Sequence, residues 1–287
     1  MGRGKAQHNL DLIQTSYEIL ERIQPASTRA VCYQLFNRKL IANTGKNCTN
    51  RVSVQLTWAR EQGRIPWEWI VDETREPEYA ATWDNPEQLI QSTVNQYRKD
   101  RWQHQPHPVE VWSEKGTVRG TLAPVLEEYG VTFRVTHGYT SATAIHQAAV
   151  ESLSRRAPLQ VFYVGDWDPS GMHMSEVDLP TRLREYGANI HIERVALNHA
   201  DVSLGGLPSF DAETKRSDAR WGWFTARYGT QCWELDALSP ILLRQRVEAA
   251  IQSTIDWPQW EQSAHAEVAE QESMQDILAL WQRARGA

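Results

Sequence analysis

Three carboxylates stand where a hard cation could be held. The run G-D-W-D-P-S-G (165–171) puts Asp166 and Asp168 two positions apart, so on an extended strand end both side chains leave on the same side. Pro169 and Gly171 predict a turn, which would aim the acids into a loop crevice. Glu114, in V-W-S-E-K (111–115), follows an earlier apolar run. Three such acids brought together repel one another unless a cation lies between them. Magnesium, with manganese as a substitute, takes carboxylate oxygens and completes its shell with water and phosphate. Taken alone, D-x-D-P also fits a polar surface turn.

A second pair with chemistry in it is Arg29 and Tyr33, one helical turn apart in R-A-V-C-Y. A phenol oxygen can attack phosphorus and keep the bond energy as a phosphotyrosine ester. An arginine on the same helix face can hold the phosphate or lower the phenol's pKa. Periodicity also fits Tyr33 as a core aromatic, because it lies near Ala30 and Phe36 on an apolar stripe.

The elements that must position these residues fall into two groups. Leu10, Ile13, Tyr17, Leu20 and Ile23 predict a helix over 9–24, which Pro25 ends. Ser27-Thr28 opens a second helix, and a third runs from about Thr49 to Gln62, with Gly63 as its stop. Three helices with a tight turn (43–46) before the third follow helix-turn-helix grammar, and RIPWEWIVD (64–72) fits the β-wing of a winged helix. Asn85-Pro86 starts a further helix, expected to reach Trp102, and QHQPHP (103–108) reads as a linker. The expected domains are therefore a winged-helix DNA-binding unit with its linker helix (1–102) and a second unit over 109–287.

Beyond the linker, strands at 109–112, 133–138, 159–166 and 190–197 alternate with helices at 115–129, 141–154 and 174–186. That alternation predicts an α/β fold: a parallel sheet with helices on both faces, followed by a helical tail from Trp233. In such sheets functional residues gather past the carboxyl ends of strands, where Glu114 and Asp166 lie. The first and third strands can be neighbours, which would bring Glu114 to the D-x-D pair.

Bulk properties narrow the setting. Hydrophobic content of 41% and charged content of 23% fit a water-soluble globular chain. No apolar run is long enough for a bilayer, and MGRGKAQHN has no apolar run behind its basic residues, so a cytoplasmic location without a secretory leader is expected. Cys32, Cys48 and Cys232 suggest neither a disulfide framework nor a zinc knuckle. Net charge is −6, but residues 1–65 hold ten Lys/Arg against four Asp/Glu, a basic head on an acidic body. Lys46, Arg51 and Arg60 are candidate phosphate contacts on the third helix, and Lys115 is another beside Glu114; each also fits a solvated face. His137-Gly138-Tyr139 reads as a turn and His173 as a surface histidine. Most of the 13 tryptophans read as packing residues.

V-W-S-E-K followed, 52 residues after Glu114, by D-W-D-P-S-G resembles the Toprim domain of topoisomerases, bacterial primases and some nucleases. The D-x-D-P-x-G form, with E-K at the first acid, looks most like the A subunit of topoisomerase VI and its meiotic double-strand-break relatives. W-E-L-D-A-L (233–238) is similar to their E-L-x-A-L stretch, and the resemblance spans roughly residues 109–250. Those subunits carry a catalytic tyrosine in R-x-x-x-Y on a preceding winged helix, which Arg29–Tyr33 matches in spacing and order; Cys32 stands where members often have another aromatic.

The resemblance implies magnesium-dependent cleavage and strand transfer on double-stranded DNA. Tyr33, Arg29 and Glu114 would be catalytic, and Glu114, Asp166 and Asp168 would hold the metal. It implies a homodimer in which the tyrosine of one subunit meets the metal site of the other. No G-x-x-x-x-G-K loop is present, so an ATPase or accessory subunit would be a separate chain. By this resemblance the chain looks like a minimal, stand-alone A-subunit-like protein, of a kind met in bacteria and on mobile elements. Two alternatives stay open: a hydrolytic Toprim nuclease with a structural Tyr33, and a non-catalytic DNA-binding or regulatory module that needs a partner.

Overall fold

Apolar periodicity builds the first unit of the chain, for which a computed structural model describes residues 6–70, 81–136 and 142–285. Helices α1 (Gln7–Ile23), α2 (Thr28–Asn37) and α3 (Lys46–Glu61) bury Leu12, Leu20, Val31, Leu35, Val52 and Leu56 in one shared cluster. Ser27 caps α2 by accepting the Ala30 N–H at 3.1 Å. Helix α3 starts at Lys46, ahead of the expected Thr49, because the Asn43 side chain folds the turn by accepting the Gly45 N–H at 3.0 Å. The expected β-wing differs more. Within 64–70 the chain makes a 3₁₀ turn at Trp67–Trp69 and a single bridge from Ile70 to Ala26; Val71 and Asp72 lie outside the described residues. Pro66 offers no N–H for a ladder. Trp69 turns inward onto Tyr17, with ring centroids 5.1 Å apart.

Helix α4 (Pro86–Gln96) starts where the sequence places it, with Asn85 accepting the Gln88 N–H at 3.0 Å. It ends before Trp102, and a 3₁₀ turn follows at Arg101–His104. The partners of this stretch lie on the last helix, α12 (Trp257–Arg285): Lys99 pairs with Glu270 at 2.6 Å and Arg101 with Glu267 at 3.0 Å. By contact the expected linker helix therefore leans on the C-terminal tail.

The second group is α/β. Strands β1 (Val109–Ser113), β2 (Thr132–Val135), β3 (Leu159–Val164) and β4 (Ile190–Ala196) form a parallel sheet in the order β2-β1-β3-β4. Helices α5 (Val118–Tyr129) and α11 (Pro240–Gln252) pack with Val111 and Phe162 on one face. On the other face, α6 (Ala142–Leu153) and a helix ending at Glu185 pack with Trp112, Val161 and Tyr163. Coverage on both faces explains why β3 is apolar at every position but Gln160. Glu110, buried on β1, is satisfied by Trp112 Nε1 at 2.8 Å, Arg155 at 2.8 Å and Arg134 at 3.1 Å.

This order creates the crevice. From β1 the chain crosses one face through α5 to β2, then returns over the other face through α6 to β3. Strand order thus reverses between β1 and β3, which are direct neighbours with Ser113 opposite Val164. The region beyond their carboxyl ends is the usual binding place in open α/β sheets.

The remaining elements fill in around it: α7 (Pro169–His173), α8 (Leu179–Glu185), α9 (His199–Ser203), β5 (Phe210–Asp211), α10 (Trp221–Tyr228) and β6 (Gln231–Cys232). β5 and β6 pair antiparallel just before the tail, and from Trp233 the tail is helical as expected: a 3₁₀ turn at Leu235–Ala237 leads into α11 and then α12. Among the described residues no helix is long and apolar enough to cross a membrane.

Candidate functional site

Glu114 directly follows β1, and Asp166 and Asp168 stand two and four residues past the end of β3, so adjacent strands carry all three acids to the same end of the sheet. The stretch 169–171 opens a helix where the sequence predicted a turn. Asp168 is the N-cap of α7, with Pro169 in its first turn, and its Oδ1 accepts the Gly171 N–H at 2.7 Å. A π-helical turn at Met174–Asp178 then joins α7 to α8, so the expected helix begins earlier than residue 174. Gly171 is required here, because a Cβ would lie 2.4 Å from the Asp166 carbonyl oxygen.

Arg194 on β4 fastens this loop. Its buried guanidinium donates to the carbonyls of Gly165 at 2.9 Å, Leu197 at 2.6 Å and Gly171 at 3.1 Å, to that of Asp166, and to Ser175 Oγ at 2.6 Å. A second clamp is the bridge between Trp167 and Trp233, whose backbones exchange two hydrogen bonds of 2.9 Å. That bridge aims the Leu235 N–H at Asp166 Oδ1, 2.7 Å away.

Two lysines reach the buried acids. Lys115 Nζ lies 2.8 Å from Asp166 and 3.1 Å from Asp236, with Glu234 at 4.0 Å. Lys215, at the end of a 3₁₀ turn after β5, pairs with Asp168. Burial, together with the charges of Asp166 and Asp168, pushes the Glu114 carboxyl up to about 7. Burial also raises Asp166 above the ordinary aspartate value, against the pull of Lys115 and with the charge of Asp168 adding to the rise. Burial alone would lower the Lys115 ammonium, yet Asp166 and Asp236 carry it above the usual lysine value.

The 233–238 turn connects this cluster to the helical head. Glu234 accepts a two-pronged ion pair from Arg29, and Asp236 accepts from Ser27 Oγ at 3.1 Å. Arg244 adds bonds to the Ile23 carbonyl at 3.0 Å and the Pro25 carbonyl at 3.3 Å. A cleft of about 900 Å³ lies along this seam, lined by Arg29, Tyr33, Lys46, Asn50, Lys215 and Glu234 among others. The three acids do not line it; Lys215 and Glu234 reach toward them from its wall.

Tyr33 is 3% exposed, and the Arg29 guanidinium lies 5.9 Å from its ring centre. The expectation that Arg29 lowers the phenol's pKa is outweighed: burial raises it and Glu234 adds to the rise, while Thr44 and Arg29 only oppose them. Lys46 is exposed at the mouth of the cleft. Arg51 is exposed with His8 at 3.1 Å, and Arg60 stacks over Trp67 at 4.7 Å. Lys115 faces inward to the acids and does not lie on a fully solvated face. His173 is half-buried against Trp223, with ring centres 5.1 Å apart, and not a free surface histidine. His137, Gly138 and Tyr139 lie outside the described residues.

Sequence reasoning did not single out Arg194, Lys215, Glu234 or Asp236 as site residues. The only local sign was the acid-rich W-E-L-D-A-L run.

The donor set suits a hard divalent ion, being all carboxylate oxygen. One further observation agrees: the buried Tyr163 hydroxyl has no hydrogen-bond partner. As the side chains stand, among the described residues no three Asp, Glu, His or Cys groups are disposed to share an ion; Asp166 and Asp168 face lysines instead. No protein-family model matches the chain, and no curated protein matches it in sequence.

Proposed function

We propose that the chain is a Toprim-like, magnesium-dependent DNA-cleaving protein that uses Tyr33 as nucleophile and resembles the A subunit of topoisomerase VI, with α1–α3 as a winged-helix-like DNA-binding head. The observation that carries this reading is the placement of Glu114 and the Asp166–Asp168 pair just past the carboxyl ends of the neighbouring strands β1 and β3, at the strand-order reversal, with Lys215 reaching from Asp168 to the cleft that holds Arg29 and Tyr33. Manganese would serve in place of magnesium.

In this reading a phosphodiester enters the cleft, and Arg29 exchanges Glu234 for the phosphate. Glu234, thereby freed, faces the phenol and can take its proton. The Tyr33 oxygen bonds to phosphorus, the bond from phosphorus to a sugar oxygen breaks, and that oxygen leaves as a hydroxyl after gaining a proton. A bound divalent ion supplies stabilisation for charge developing at phosphorus and on the departing oxygen. Two copies would serve two antiparallel strands.

The burial of Tyr33 favours one second reading, a hydrolytic Toprim nuclease in which the tyrosine only packs. Tyr33→Phe separates the two. Incubated with DNA and magnesium or manganese, then run on a denaturing gel, the wild type should give a covalent protein–DNA adduct and the variant neither adduct nor cleavage. Cleavage that survives in Tyr33→Phe removes the tyrosine mechanism.

A further inference from the structure

The two lysines at the acid pair are not equivalent. Lys115 is held from several sides, by Asp166, Asp236 and Glu234, so losing Asp166 to another cation would leave it paired. The ion pair of Lys215 among the described residues is with Asp168. Its side chain is 38% exposed, whereas that of Asp168 is 2% exposed, so the lysine spans from the open cleft wall to a buried carboxylate. Asp168 keeps its Gly171 N–H bond through Oδ1 while Lys215 meets Oδ2. The oxygen that Lys215 covers is therefore the one a cation could take without unwinding α7.

We propose that Lys215 is a displaceable counter-ion: it neutralises Asp168 until a divalent ion takes that carboxylate, then turns into the cleft and grips a DNA phosphate. The idea rests on the metal-dependent DNA reading above and adds the order of events to it. Charge drives the exchange. A divalent ion brings two positive charges where one leaves, beside a second buried carboxylate, Asp166. The released ammonium has a destination, because Lys215 already lines the same cleft as Arg29, Tyr33 and Lys46. A lysine serves this role as a point charge on a flexible stem, able to reach either partner.

The test uses Lys215→Met and Lys215→Arg in the full chain, with manganese alone and then a short duplex DNA as probes. Lys215→Met should bind manganese on the order of tenfold more tightly than the wild type without DNA, since a competing cation is gone. With manganese present, its log–log salt dependence of DNA binding should fall by about 0.9, the value of one phosphate contact. Lys215→Arg, which keeps the charge, should follow the wild type in both. Equal manganese affinity in Lys215→Met and wild type overturns the exchange while sparing the metal site, and an unchanged salt slope overturns the hand-over to phosphate. Failure of every form to bind manganese removes the metal reading itself, and the exchange with it. A misfolded Lys215→Met, seen by loss of near-ultraviolet circular dichroism, passes the same measurements to Lys215→Gln.

Discussion

The Arg29 guanidinium donates to both carboxylate oxygens of Glu234, a residue 205 positions further along the chain. The pair fastens the helical head to the α/β body. It also bears on Tyr33: burial raises the phenol's pKa, Glu234 adds to the rise and Arg29 opposes it. The resting fold therefore favours the protonated Tyr33 phenol and keeps Arg29 occupied.

Glu234→Gln should release that restraint. The pKa of Tyr33 should fall, read from the ring carbons of labelled tyrosine by nuclear magnetic resonance across a pH series. The same variant should lose about 1 kcal/mol of stability, a modest cost because the Arg29 side chain is 42% exposed. An unchanged Tyr33 titration would show that Glu234 does not govern the phenol.

Glu114 gives a pH signature in the metal-free protein. Its carboxyl ionises near 4.5 when unfolded and at about 7 when folded. Between those values the folded state holds more protons, so stability falls as pH rises through that window. Glu114→Gln cannot ionise. Its melting temperature should therefore gain on the wild type as pH climbs from about 4.5 to about 7 and hold the gain above it, and magnesium should shrink the gap. Parallel melting curves at all pH values would refute the buried, acid-crowded setting.

Two glycines make a matched contrast. Gly171→Ala forces a Cβ to within 2.4 Å of the Asp166 carbonyl oxygen, which should cost about 1–3 kcal/mol in urea unfolding and disturb the acid loop. Gly222→Ala, in α10 with no atom within 4 Å of the new Cβ, should be neutral or stabilising by up to about 1 kcal/mol. Equal costs at the two sites would contradict the close approach at Gly171.

What the sequence made legible is what local pattern controls. The apolar run 159–164 and the short run at 109–113 announced the two strands, and parallel-sheet rules then placed Glu114 and Asp166 at one crevice. Arg29 and Tyr33 fell on one helix face because both obey a single period. Other features depend on residues that are distant in the chain. Nothing near Lys115 signals that Asp166 and Asp236 will surround its ammonium, and nothing near Arg194 signals the carbonyls it will collect. Asp168-Pro169 was read as a turn because the same residue types start helices and make turns, and only the bond to Gly171 N–H tells them apart.

The turn at 233–238 touches the head through Glu234, the cation-facing acid through the Leu235 N–H, and both halves again through Asp236. It therefore acts as a coupling rod. Any force that levers the head away from the body must move the same backbone that supports Asp166. Under the proposed reading, opening of the head by a duplex and cation affinity would then share a free energy, and by reciprocity each would alter the other by the same factor.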